Sequence, residues 1–126
     1  MAPSFFDDVV EFHRLFRTPP SRPIYHLDGE TYSRRMRLIT EELAELARAH
    51  SFHDVTGFAD GLVDLTWVVL GTAVESGFPF NELWEEVRIA NMAKVPINLD
   101  ATGKLIKPPG WKPPDIRRIL LEALDR

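Results

Sequence analysis

Cysteine is absent from the 126 residues, which excludes a disulfide framework and any metal site built on thiolates. The start, Met1-Ala2-Pro3-Ser4-Phe5-Phe6-Asp7-Asp8, lacks the basic region and apolar stretch of a signal peptide. The most apolar run, residues 67–74, is too short to span a bilayer. These absences predict a cytoplasmic protein with no membrane partner. A surplus of positive charge is lacking too. Nineteen acidic residues against fifteen basic ones leave a net charge of −4, which argues against binding to a nucleic-acid polymer. Internal repeats and low-complexity segments are missing, and no stretch beyond residues 104–107 has the pattern of a strand.

What is present suits one globular domain, residues 1–126, with 44% hydrophobic residues and length enough for a single core. Phe5, Val9, Phe12 and Phe16 share one face at helical spacing, with Ser4 as N-cap and Asp7 and Asp8 in the first turn. The proline-rich connector that begins at Thr18 cannot continue this helix. The composition then predicts a long second helix over residues 30–50 and a third over 54–75, stopped by Gly77 and Pro79. A fourth helix is expected from an Asn81 cap to about Val95, and a short fifth is opened by Pro114 and Asp115. Residues 96–112, rich in glycine and proline, form a loop long enough to be functional. The fold class is all-α, a bundle of four to five helices. Phe58, Leu62, Val63, Leu65, Trp67, Val68, Val69 and Leu70 leave the third helix no polar face. A domain this small cannot enclose such a helix alone, so a homo-oligomer is expected.

Two aspartates interrupt that apolar helix. Asp60 and Asp64 are four residues apart and therefore stand one turn above the other. Burying an ionised carboxylate costs several kcal/mol unless a cation or strong donors compensate it. The second helix carries Glu41, Glu42 and Glu45, which project within an arc of about 100°. A short link makes the two helices antiparallel neighbours, so the acid clusters can face each other across one seam. Carboxylates converging in that way call for a hard cation. Magnesium takes oxygen ligands, keeps several waters, and binds phosphate beside carboxylate; manganese is the alternative ion. The plainer arrangement has the glutamates solvated and the aspartates paired with Arg35, Arg37 or Lys94.

Glu41-Glu42-Leu43-Ala44-Glu45 resembles the Glu-Glu-x-x-Glu motif of the MazG-like all-α nucleotide pyrophosphohydrolases, which include dimeric dUTPases and phosphoribosyl-ATP pyrophosphohydrolase. The companion motif, Glu-x-x-Asp, falls at residues 61–64. There Asp64 matches and Gly61 departs, leaving Asp60 as the nearest substitute. The likeness extends through residues 11–14, 64–73, 88–94 and 103–115. It implies hydrolysis of a nucleoside triphosphate between the α and β phosphates, giving monophosphate and pyrophosphate, with dUTP or non-standard deoxynucleotides as house-cleaning substrates. It also implies a dimer or a dimer of dimers. By position, Glu42, Glu45 and Asp64 become metal ligands, Asp60 an additional or replacement ligand, and Glu41 the group that orients or deprotonates the attacking water.

Arg35 resembles a family arginine that can steady a carboxylate or a phosphate. Asn91 and Lys94 share a stripe of the fourth helix with Trp84 and Val87. From there Asn91 can read sugar or base, and Lys94 can neutralise phosphate. Lys104 and Lys107 flank a turn-rich loop able to fold over phosphates, and Trp111 can stack on a base. His13, beside an apolar stripe, reads as structural. Two other readings stand beside this one: phosphoribosyl-ATP pyrophosphohydrolase, and a non-catalytic helical metal-binding or oligomerisation module.

Overall fold

The computed structural model describes residues 2–17, 19–20, 22–24, 29–95 and 97–126. Thr18 and Ser21 of the expected connector, and Pro96 at the start of the expected loop, lie outside them. Five helices follow one another: α1 (Phe5–Arg14), α2 (Glu30–Ser51), α3 (Val55–Glu75), α4 (Phe80–Met92) and α5 (Ile116–Leu124). Among the described residues the only β feature is an isolated bridge between Leu99 and Leu105. The chain divides into two compact units, Met1–Phe78 and Pro79–Arg126.

In the first unit, α3 packs against both α2 and α1. Local chemistry sets the helix ends. Ser4 and Asp7 form a reciprocal capping box at α1, a device worth about 1 kcal/mol. The Asp54 carboxylate accepts from the Gly57 amide at 2.9 Å and caps α3. The core gathers around the C-terminal half of α3, where Leu70, Ala73 and Val74 are buried with Val9 of α1. Gly71 is the point of closest approach there. A Cβ on it would stand 2.6 Å from Arg35 Nη2 and 2.9 Å from His13 Nε2, so glycine lets a guanidinium and an imidazole lie against the helix.

The N-terminal half of α3 departs from expectation. Leu62 is 46% exposed and Val63 63% exposed, and both Asp60 and Asp64 are exposed. The aspartates therefore do not sit in a buried apolar setting within one chain. The reason is geometric: α1 and α2 together cover part of the circumference of α3, and only Gly61 is buried in this half. α3 is long and apolar enough to cross a membrane by length and composition, with mean hydropathy 1.3 over its best window. It packs on α1 and α2, and it carries three acids, Asp60, Asp64 and Glu75.

His13 is buried as expected of a structural residue. Desolvation, reinforced by Arg35, Arg17 and Arg34 and opposed by Glu75, holds its imidazole below the ordinary 6.5. A folded-state pKa below the unfolded one means that the unfolded chain takes up the proton first as pH falls. Stability is then fully present above 6.5 and is lost as pH drops through it. Urea midpoints should therefore decline from about pH 7.5 to pH 5.5 in the wild type, and His13→Gln should flatten that decline. Equal declines in the two proteins would assign the effect to other groups.

In the second unit α4 packs on α5, with Ala90, Ile119 and Ala123 buried. α5 opens at Asp115 as expected, its carboxylate accepting from the Arg118 amide as the N-cap. The fourth helix starts and stops earlier than the sequence suggests. Its N-cap is Pro79 rather than Asn81, and it ends at Met92. Proline's fixed φ lies in the helical range and lets the turn begin two residues sooner. Arg118 bridges Asp115, Glu86 and Glu122, and Arg126 pairs with Glu82. Residues 98–106 form a tight turn in which the Thr102 hydroxyl and the amides of Thr102 and Lys104 hold the Asp100 carboxyl below its ordinary pKa.

Candidate active site

Glu41 and Glu42, with Glu45 one turn on, lie in the middle of α2, and Asp60 and Asp64 lie in the first half of α3. A short connection, residues 52–54, reverses the chain and sets these segments side by side. The seam closes at Gly61, where a Cβ would stand 3.1 Å from Leu46 Cδ1 and 3.5 Å from Leu46 Cα. Beside it opens a cleft of about 390 Å³ whose walls include Glu45, Asp60, Asp64, Arg48 and Phe52.

The electrostatics of Glu42 report how the carboxylates are arranged. Its pKa is raised, first by desolvation, then by the charges of Glu45, Asp64 and Glu41 and by a hydrogen bond with Glu45. Its Oε2 is sealed from solvent and has no hydrogen-bond partner. Glu42 is thus half-buried among like charges with one oxygen unsatisfied, which is unfavourable without a cation. Asp60 is not among the groups acting on Glu42; it joins Glu45 and Asp64 along the cleft instead. Among the described residues, no three acid or histidine side chains converge closely enough to encircle an ion. The donors are all carboxylate oxygens, which suits a hard divalent ion.

Arg35 has a different setting. It is buried, donating from Nε to Thr72 Oγ1 at 3.1 Å and from Nη2 to the Val68 carbonyl at 2.8 Å, with Nε 3.2 Å from Glu75 Oε2. The carboxylate it steadies is therefore Glu75, at the far end of α3. In the second unit, Lys94 and Lys107 stand 5.0 and 5.1 Å from the centroid of the Trp111 ring. The indole Nε1 is anchored on the Ala90 carbonyl at 2.6 Å. Three of the five candidates in this unit thus form one cluster. Lys104 and Asn91 are exposed outside it.

Two groups escaped the reading of the sequence. Arg48 lines the acidic cleft, its guanidinium 5.3 Å from the Phe52 ring centroid; its place one turn after Glu45 was the available signal. Glu75 is buried and meets three arginines, and nothing local in the sequence marks it.

A helical hairpin with carboxylates from both arms lining a cleft defines a class of acid-anhydride hydrolase, the all-α pyrophosphohydrolases. A family model described as phosphoribosyl-ATP pyrophosphohydrolase matches residues 9–91, about two-thirds of the chain, and the protein belongs to that family. The matched stretch spans α2, α3, the second half of α1 and all but the last residue of α4. Lys94, Lys104, Lys107 and Trp111 lie beyond it. No curated protein matches the chain. Pyrophosphohydrolases of this family generally use divalent metal ions.

Proposed function

We propose that this pyrophosphohydrolase cleaves a nucleoside triphosphate between the α and β phosphates, with magnesium held by Glu42, Glu45 and Asp64 and with Asp60 as a further ligand. The observation that carries this reading is Glu42, whose unpaired oxygen and raised pKa mark a site short of one cation. A divalent ion bound there would neutralise phosphate charge and lower the pKa of an attacking water. In this reading Glu41, exposed on the same stretch of α2, orients that water and takes its proton. The Lys94, Lys107 and Trp111 cluster supplies two positive charges and an aromatic face suited to the phosphates and base of a nucleotide. Asn91 and Lys104 are further candidates for contacts with the sugar and phosphates. In this proposal Arg35 acts on the substrate only indirectly, by holding α2 against α3.

The exposed apolar residues of α3, with Trp67 40% exposed, support a homodimer or dimer of dimers that buries them. Sedimentation should then give the mass of two or four chains. A second reading, hydrolysis of phosphoribosyl-ATP, is favoured by the description of the matching family. Phosphorus NMR of reactions with a nucleotide panel and with phosphoribosyl-ATP tests both. Pyrophosphate and a monophosphate are expected from the accepted substrate. Orthophosphate with a diphosphate would mean attack at the terminal phosphate and would overturn the proposal.

A further inference from the structure

One face of α2 carries its chemistry in order along the helix axis. Glu41, Glu45, Arg48 and Phe52 follow one another at steps of four, three and four residues, so they fall within about 60° of arc. Glu45, Arg48 and Phe52 all line the acidic cleft, with Asp60 and Asp64 on its other wall. Glu42, about 100° round the axis from Glu41, stands off this stripe. From the N-terminal side, the stripe runs from the group proposed to activate water, through a metal ligand, to a guanidinium and an aromatic ring.

Arg48 is the residue out of place in that wall. Glu45, Asp54, Asp60 and Asp64 share the cleft with it, yet among the described residues its guanidinium has no carboxylate partner. The Asp54 carboxylate is taken by the Gly57 amide. Arg48 lies instead over the ring of Phe52, 5.3 Å from its centroid, and Phe52 is itself 69% exposed. A contact with the face of a ring leaves the guanidinium's N–H donors without an acceptor. Arg48 is in the last turn of α2, where the helix dipole favours a cation. A lysine would meet that need equally, and the dipole gives no reason for a planar fork.

We propose that Arg48 binds the leaving pyrophosphate, and that water attacks the α phosphorus from the Glu41 side. The inference rests on the reading of the cleft as the metal-binding site of a pyrophosphohydrolase. An in-line displacement sets the attacking water and the leaving oxygen on opposite sides of the reacting phosphorus. Glu41 and Arg48 are about 10 Å apart along the axis, with Glu45 between them. A phosphate chain whose water sits at Glu41 therefore extends toward Arg48. The water oxygen bonds to the α phosphorus, and Glu41 takes its proton. The bond from that phosphorus to the bridging oxygen breaks, and the oxygen leaves with the electron pair on pyrophosphate. The fork of Arg48 matches two phosphate oxygens and meets the charge that grows as this bond breaks.

The test compares full-length wild type, Arg48→Lys and Arg48→Gln. Calorimetric titration of inorganic pyrophosphate in the presence of magnesium reads the contact without turnover. Arg48→Gln should bind pyrophosphate about tenfold more weakly, or worse, for the loss of one charge-assisted contact. Arg48→Lys keeps the charge and loses the fork, so it should fall between, and it serves if Arg48→Gln fails to fold. Magnesium alone should bind both variants no more weakly than wild type, since neither change adds positive charge to the cleft. Hydrolysis of an accepted triphosphate in oxygen-18 water should put the label in the monophosphate. Undiminished pyrophosphate binding to folded Arg48→Gln, weaker magnesium binding by it, or label in the pyrophosphate would overturn the proposal. So would an Arg48→Lys protein equal to wild type throughout, which would leave the helix dipole as the reason for the charge. Glu45→Gln separates this proposal from the reading beneath it. An inactive Glu45→Gln beside normal Arg48 variants removes only the role of Arg48, and normal turnover of Glu45→Gln removes the metal site itself.

Discussion

Glu45→Gln is expected to lower kcat on the order of a thousandfold while leaving the metal-free protein folded. The substitution keeps the side chain's size and removes the charge that a divalent ion would need. Even groups that only orient metal ligands cost about 10–100-fold when changed, so loss of a ligand should cost more. Glu42→Gln should have a comparable effect on turnover with a clearer signature in stability. The Glu42 carboxyl is held above its ordinary pKa by desolvation and by the charges of Glu45, Asp64 and Glu41. A raised folded-state pKa means that ionisation opposes folding as pH climbs from the unfolded value toward the folded one. Above the folded-state value the full penalty is present, and the amide removes it. Glu42→Gln should therefore be at least as stable as wild type in EDTA, yet gain less stability than wild type from added magnesium. Urea denaturation across a magnesium titration, paired with steady-state rates, checks both halves. Near-normal turnover of either variant at saturating magnesium would remove that residue from the ligand set.

The parts of the fold that depend on neighbouring residues were legible in the sequence. Ser4 caps α1 as expected, and Asp54 and Asp115, read as the starts of α3 and α5, are their N-caps, because capping is settled within three or four residues. The acids of α2 and α3 could be set on facing turns by helical spacing alone. What spacing could not supply was how much surface the rest of the chain has to offer. The apolar run of α3 suggested burial throughout, whereas α1 and α2 cover its C-terminal half and leave Leu62, Val63 and both aspartates exposed. Partnerships across long separations were also out of reach. Arg35 and Glu75 are forty residues apart, and no periodicity announces that they meet. An arginine six residues before the glutamate pair read as a group to steady a carboxylate or a phosphate, and spacing could not show that its donors lie on Thr72 and Val68 with Glu75 beside them.

The departure at Gly61 now has a structural reason, and it yields the second large effect. The family motif places a glutamate there, yet residue 61 is buried where α3 comes nearest to α2. A Cβ alone is tolerable. Its closest neighbour would be Leu46 Cδ1 at 3.1 Å, the movable end of a side chain, and the Leu46 Cα would be at 3.5 Å. Gly61→Ala should thus be nearly neutral, since crowding is offset by roughly 1 kcal/mol of helix propensity. Glu is another matter. Its four further heavy atoms must enter the seam, and overpacking costs about 1–3 kcal/mol. A carboxylate left there without a partner adds about as much again or more. Gly61→Glu should therefore lose about 3 kcal/mol or more, a large share of the stability of a chain this size. It should also lose activity, because prying the helices apart separates Glu42 and Glu45 from Asp64. If residue 61 could instead present its carboxylate to the site, as the motif implies, the variant would bind magnesium more tightly and turn over faster. Thermal melts of Gly61→Ala and Gly61→Glu, with and without magnesium, decide between these outcomes. A Gly61→Glu protein as stable as wild type, with higher metal affinity, would show that the seam can open and that Asp60 is no substitute for the missing glutamate.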